Sequence, residues 1–224
     1  MKQIVFLTGA GMSAESGIKT FRDSDGLWEN YDVQKVASID GWYADPRLVQ
    51  EFYNARRAQL ATVEPNEGHK IIASLEKDFN VSVVTQNIDN LHERAGSSHI
   101  IHLHGELTKA CNEDKTQVIE IGYRAINHGE KAADGSRLRP FIVWFGEMVP
   151  MIEKAAKAVA SADVVVIVGT SMQVYPAAGL VSYARPSVPI FLIDPNDVYV
   201  TSKVTHIKEK ASRGMAILKE KYLD

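Results

Sequence analysis

His102 and His104 are separated only by Leu103 at the end of an apolar run, and Gly105 follows directly. In an extended chain every second side chain shares a face, so the two imidazoles point one way while Leu103 packs the other. A histidine at a strand end beside a cleft can act as a general base near neutral pH. Two other fates compete: a satisfied structural imidazole, or a metal pair completed by Cys111 or His128, whose spacing matches no standard zinc pattern. Thr85-Gln86-Asn87-Ile88-Asp89 closes an earlier apolar run. A carboxylate two residues from an amide can grip a ribose or a carboxamide, while Asp89 could equally cap a helix over 90–94. Near the start, Gly9-Ala10-Gly11-Met12-Ser13 follows Ile4-Val5-Phe6-Leu7. A glycine turn running into a helix lets N–H groups approach a phosphate, and the helix end adds partial positive charge. A bare strand–helix turn is the alternative, because Ala14 stands near the place of the fingerprint's third glycine. Gly169-Thr170-Ser171 and Asp194-Pro195-Asn196 repeat the pattern of polar turn after apolar run.

Five short β-branched runs must carry these turns: 4–7, 81–85, 100–103, 164–168 and 190–193. They alternate with helical patterns, which predicts an α/β fold with a doubly wound parallel sheet. Asp45-Pro46 supplies an N-cap and a proline at the first position, so a helix runs to about Leu60. Further helices are expected over 67–77, 152–160, 177–183 and 212–221. Segments 25–61 and 109–139 fit the sheet poorly. They are expected to form a small lobe, with 1–24, 62–108 and 140–224 as the large one and a ligand cleft between them. Val118, Ile119, Ile121, Tyr123 and Ile126 are the expected anchors of the small lobe.

Bulk properties exclude several classes. A formal charge of −3 over 224 residues gives no electrostatic case for nucleic acid. One cysteine, Cys111, excludes an intramolecular disulfide and suits a reducing, cytoplasmic setting. No apolar stretch is long enough to span a bilayer.

Taken together and in order, Gly9–Ile18 with Phe21-Arg22, then TQNID, HLHGEL, VWFGE, the segment 169–178 and IDPN resemble the sirtuin family over nearly the whole chain. The resemblance implies a Rossmann-like sheet with a smaller inserted lobe, and NAD as cofactor. Gly9, Ala10, Gly11, Ser13, Glu15, Phe21, Arg22 and Trp28 would then hold the cofactor. Gln86, Asn87, Ile88 and Asp89 would line the nicotinamide and ribose pocket. Gly169, Thr170, Ser171 and Val174, with Pro195, Asn196 and Asp197, would hold the adenosine half, and Ala211 would touch the adenine. His104 would be the catalytic base, with Asn87 as a second catalytic group. Val143, Trp144, Phe145, Gly146 and Glu147 would pair with an extended acyl-lysine peptide as an added strand.

Tyr53 and Arg56 lie three apart on the expected helix and share a face offset from its Leu48–Phe52 core stripe. A phenol and a guanidinium aimed into an acyl channel would receive a terminal carboxylate. In the family such a pair marks removal of succinyl or malonyl groups, and Ala37 matches a small residue that widens the acyl pocket. The expected activity is NAD-dependent removal of these groups from lysine, with some deacetylation, releasing nicotinamide and O-acyl-ADP-ribose. Mono-ADP-ribosyl transfer or plain NAD hydrolysis is the competing activity. Most sirtuins bind zinc in the small lobe through four cysteines. One cysteine cannot do so, and no structural metal is expected. Lys19 stands at the family's usual proline and Asp194 at its common asparagine.

Overall fold

The computed structural model describes residues 1–18, 31–170, 177–198 and 203–223. In chain order its elements are β1 (Gln3–Thr8), α1 (Ala10–Ala14), α2 (Val33–Val36), α3 (Ile39–Ala44), α4 (Pro46–Leu60), α5 (Glu67–Ser74), β2 (Asn80–Thr85), α6 (Leu91–Ala95) and β3 (Ile100–His102). They continue as β4 (Gly105–Cys111), β5 (Val118–Glu120), β6 (Arg139–Ile142), α7 (Ile152–Ser161), β7 (Val164–Val168), β8 (Ile190–Ile193), β9 (Val204–Ile207) and α8 (Ala211–Leu218).

Six strands form a parallel sheet in the order β3-β2-β1-β7-β8-β9. Because alternate residues of a strand face opposite sides, Ile4 and Phe6 pack under α5 and α8 with Ile72, Leu75, Met215 and Leu218. Val5 and Leu7 pack on the other side with Ala155 and Val159 of α7. Both faces are covered, as the uninterrupted apolar runs require. The chain reverses direction of travel across the sheet between β1 and β7, so a crevice opens past their carboxyl ends. The segment 177–183, expected as a helix, winds as 3₁₀, and the C-terminal helix starts at Ala211 and ends in a π turn over Lys219–Leu223.

Helix α4 starts where expected: Asp45 Oδ1 accepts the Leu48 N–H at 3.0 Å and Pro46 opens the first turn. Its buried side packs Val49, Phe52, Tyr53 and Leu60 against Val36, Trp42, Leu107, Ile142 and Trp144. Arg57, unremarked in the sequence, is fully buried; its Nε donates to Leu107 O at 2.7 Å and ties α4 to β4.

The second sheet is antiparallel, β5-β4-β6. Strand β4 starts at Gly105 and β6 ends at Ile142, so the expected lobe boundaries at 109 and 139 fall within or at the ends of paired strands. Of the expected anchors, Ile121 and Ile126 are buried with Ala110 and Leu138, whereas Val118, Ile119 and Tyr123 lie at the surface. The reason is topological: β5 is an edge strand with nothing packed over it among the described residues. Polar clips do the remaining work. Buried Asn112 donates from Nδ2 to Asp134 Oδ2 at 2.7 Å and to Thr116 Oγ1 at 3.0 Å, and its Oδ1 accepts Gln117 N–H at 2.8 Å.

His69 and His92 form a buried edge-to-face pair, 4.8 Å between centroids, beneath β1. His92 Nε2 meets Thr8 Oγ1 at 3.2 Å, while neither His69 nitrogen has a partner among the described residues. Burial pushes His69 from 6.5 down to about 4 and holds His92 well below its ordinary value. The folded state therefore resists a proton that the unfolded chain accepts. This contribution is complete above pH 6.5 and is lost as pH falls from 6.5 towards 4. His69 alone accounts for roughly 3 kcal/mol across that window. Urea unfolding of the wild type is expected to lose stability steeply there and His69→Phe to lose it less steeply. Parallel curves would contradict the assignment.

Candidate active site

The carboxyl ends of β1, β2 and β7 and the turn after β3 bring Gly9, Ser13, Gln86, Asn87, Asp89, His104 and Thr170 together. After β1 and β7 the chain makes two turns that touch. Gly9 N–H donates to Val168 O at 3.0 Å and Gly11 N–H to Gly169 O at 2.8 Å. A Cβ on Gly11 would lie 2.6 Å from Gly169 Cα, and Gly169 itself has φ +60°. These glycines therefore serve the contact between the two turns, and the N–H groups of Gly9 and Gly11 are spent on protein carbonyls rather than left for an anion. Ala10 N–H, at the start of α1, keeps no protein partner among the described residues.

The turn after β2 carries a buried polar chain. Asn87 Nδ2 donates to Gly9 O at 3.0 Å and to Ser13 Oγ at 3.1 Å, and Ser13 Oγ donates to Asp89 Oδ2 at 2.9 Å. Asp89 Oδ1 accepts Leu91 N–H at 3.1 Å, so this carboxylate both braces α6 and anchors Ser13. Its burial raises its pKa against the pull of those donors. Gln86 Nε2 reaches across to Thr170 Oγ1 at 3.1 Å. The Asn87 amide is thereby fixed with its Oδ1 left over. Ile88 packs with the α4 cluster, and its carbonyl accepts Leu107 N–H at 2.7 Å.

His104 stands half-buried beside this turn. Its Nδ1 lies 3.0 Å from Gln86 O. A carbonyl only accepts, so the proton sits on Nδ1 and the Nε2 lone pair is left open. Burial lowers its pKa below 6.5, against the raising effect of Gln86 O, and keeps the ring neutral at pH 7. Gly105, with φ +80°, turns the chain so tightly that a Cβ would lie 2.1 Å from Phe141 O. His102, on the same face, goes elsewhere: Nδ1 to Asn87 O at 3.1 Å and Nε2 to Glu93 Oε1 at 2.6 Å.

Tyr53 is 2 % exposed and lies inside the core cluster with Ala37 and Trp144, not on a face offset from it. The phenol oxygen accepts Trp144 Nε1–H at 2.9 Å, leaving its own proton without an acceptor among the described residues. Burial pushes it up to about 12, so it stays a donor. Arg56, three residues on, lies half-buried with Cζ 5.6 Å from the Phe52 ring centroid.

The segment 143–147 mostly pairs inward. Val143 N–H donates to His104 O at 2.9 Å, Phe145 N–H to Ala37 O at 2.9 Å, and Ile39 N–H to Phe145 O at 3.0 Å. Trp144 is buried, and Arg139 stacks on its ring with Cζ 3.7 Å from the centroid. Glu147 accepts from Arg139 Nη1 at 3.0 Å, Lys115 Nζ at 2.8 Å and Trp144 N–H at 2.8 Å. Trp144 and Glu147 therefore hold the segment to the small sheet and are not open to a peptide. Val143 C=O and Gly146 N–H keep no partner among the described residues, and Phe145 is exposed.

On the far side of β7, Asp194 Oδ1 accepts Asn196 N–H at 2.9 Å and Asn196 Nδ2 at 3.0 Å. Asp197 pairs at the surface with Lys208, 2.7 Å apart. Glu15 accepts Ser212 N–H at 2.8 Å, and Ala211 is packed in the core with Met12 and Met215. The Ala211 side chain, expected to touch the adenine, is buried by protein at the start of α8. Phe21, Arg22, Trp28, Ser171 and Val174 lie outside the described residues.

The Sir2 family profile matches residues 9–176. An "NAD-dependent protein deacylase" of Bacteroides thetaiotaomicron is 56 % identical over 228 aligned positions, covering 98 % of this chain and 97 % of the relative. A protein of the same name from Helicobacter pylori is 49 % identical, covering 100 % of this chain and 99 % of the relative. A solved Sir2 homologue in complex with ADP-ribose superposes with a TM-score of 0.89 at 38 % identity, covering 98 % of this chain and 91 % of that one. Likeness at this level along the whole chain, in sequence and in fold alike, shows that the chain belongs to the Sir2 family.

Proposed function

We propose that this chain is an NAD-dependent protein-lysine deacylase that removes succinyl and malonyl groups, with a weaker acetyl activity, and releases nicotinamide and O-acyl-ADP-ribose. The observation that carries the reading is His104: neutral, its Nδ1–H engaged by Gln86 O, its Nε2 open beside the Asn87–Ser13–Asp89 chain. The donor set suits a dinucleotide. Ala10 N–H and the positive end of α1 would face phosphate, Asn87 Oδ1 and Asp89 the nicotinamide ribose, and the Asp194–Asn196 turn the adenosine hydroxyls. When bound, NAD supplies an electrophilic sugar carbon and nicotinamide as leaving group. The protein aligns the acyl oxygen with that carbon, which converts an encounter into an intramolecular step. His104 Nε2 takes the proton of a ribose hydroxyl. Buried Leu107 and Trp144 pack in one cluster with Ile88 and Tyr53, a dry wall beside the turn that carries Asn87.

An acyl-lysine peptide is the partner this crevice fits. Val143 C=O and Gly146 N–H are the main-chain groups available to it, and pairing of that kind reads backbone shape rather than side chains. Tyr53 O–H and Arg56 together favour an acyl chain that ends in a carboxylate. The lone, buried thiol of Cys111 is compatible with a cytoplasmic setting, and among the described residues no helix is long and apolar enough to cross a membrane.

Mass spectrometry of a succinyl-lysine peptide incubated with the protein tests this directly. Loss of the succinyl mass only when NAD is present is expected. Gain of ADP-ribose on the peptide would point to transferase chemistry instead, and nicotinamide release with an intact peptide to plain hydrolysis.

A further inference from the structure

We infer that Glu93 and His102 act as a positioning pair, in which Glu93 holds the His102 ring and the ring clamps the Asn87 carbonyl of the reaction site. The inference rests on the proposed role of that site and adds a residue pair to it.

The two histidines of β3 and its following turn grip consecutive carbonyls: His104 Nδ1 takes Gln86 O at 3.0 Å and His102 Nδ1 takes Asn87 O at 3.1 Å. Their second nitrogens differ. His104 Nε2 is open, whereas His102 Nε2 meets Glu93 Oε1 at 2.6 Å. A carbonyl and a carboxylate both accept, so both His102 nitrogens carry protons and the ring is an imidazolium paired with Glu93. One strand thus sets a neutral base and a charged clamp two residues apart, on adjoining peptide groups.

The other charged groups around His102 agree. Glu93 comes from α6, and Glu106 from β4 faces the ring with Lys109 held 2.8 Å from its carboxylate. His92 and His69, on α6 and α5, are held below the ordinary histidine value by burial, and Asp89, on the turn after β2, is a further acid coupled to the ring. Burial works against a charged ring here, but the hydrogen bond and charge of Glu93, with Glu106 and Asn87 O, lift His102 above 6.5. The oxygens of Glu93 and Glu106 and a His102 nitrogen lie within 4.8 Å of one another. Protein partners already occupy them, which favours the clamp over a metal.

The clamp carries a consequence for pH. Activity needs His104 neutral and His102 charged, so His104 sets the acidic limb of the rate profile and His102 the alkaline limb. Glu93→Gln removes the charge that lifts His102. Its alkaline limb is expected to move to lower pH while the acidic limb stays, and kcat on the alkaline side to fall about tenfold with KM for the acyl peptide little changed. His102→Gln, which cannot charge, is expected to show the same loss with no alkaline limb.

The ligand-free protein supplies an independent readout. Nitrogen-15 NMR of the imidazoles is expected to show both His102 nitrogens protonated above pH 6.5, where His104 shows one. Glu93→Gln is expected to lower the pH at which His102 titrates. An unshifted His102 titration, or an alkaline limb unmoved in Glu93→Gln, overturns the clamp. So does stoichiometric zinc binding by metal-stripped wild type that Glu93→Gln abolishes. If the wild type consumes no NAD with any acyl peptide, the deacylase reading fails while the NMR titration still decides the ion pair.

Discussion

His104→Ala is expected to lower kcat for NAD-dependent acyl removal by ~10²–10⁴-fold, the usual contribution of a positioned general base. The local geometry makes this the largest single effect. Only Nδ1 of the ring is engaged, by Gln86 O at 3.0 Å, so truncation removes the one open basic nitrogen beside Asn87 and leaves little to reorganise. Ser13, Asn87 and Asp89 bond to one another and not to His104, so their network survives the change. Binding of ADP-ribose is therefore expected to persist, and calorimetry separates a lost base from a collapsed site. Burial also holds His104 below 6.5, so the acidic loss of wild-type rate is expected only beneath that value. A rate unchanged in His104→Ala would remove this residue from the chemistry.

Arg56→Met is expected to depress kcat/KM for succinyl and malonyl peptides by roughly 10²-fold, and for an acetyl peptide far less. Arg56 and Tyr53 are a turn apart on α4, and the phenol keeps its proton for an incoming acceptor because Trp144 already donates to its oxygen. Removing a charged donor costs most where the substrate brings a carboxylate into a half-buried site. Methionine keeps an unbranched apolar stem and removes the guanidinium, with its charge and its place over the Phe52 ring. Tyr53→Phe is expected to cost about tenfold on the same substrates, one hydrogen bond to a charged group. Equal losses on acetyl and succinyl peptides from Arg56→Met would mean that the arginine only packs the helix.

Much of this molecule is legible along the chain. The runs 4–7, 81–85, 164–168 and 190–193 are apolar on both faces because helices cover both, and that pattern is local. Asp45-Pro46 sets the start of α4 through bonds that span three residues. The motifs that place His104, Asn87 and the glycine turns at strand ends are equally local, and their order identifies the family. Strand β9 escaped because its side chains are only partly buried at the sheet edge, which blurs the alternation. The small sheet escaped because β4 and β6 pair across some thirty intervening residues that leave no periodic trace.

Tertiary structure decided the partners. Two imidazoles with the same sequence signature took opposite protonation states because one meets a single carbonyl and the other a carbonyl and a carboxylate. Glycines suited to an anion closed instead against a second turn, since β1 and β7 are neighbours in the sheet. Trp144 and Glu147 turned inward to Tyr53, Arg139 and Lys115. Sequence spacing reports which face of an element is dry; it carries no record of which distant donor or acceptor arrives there, and that arrival sets charge, tautomer and function.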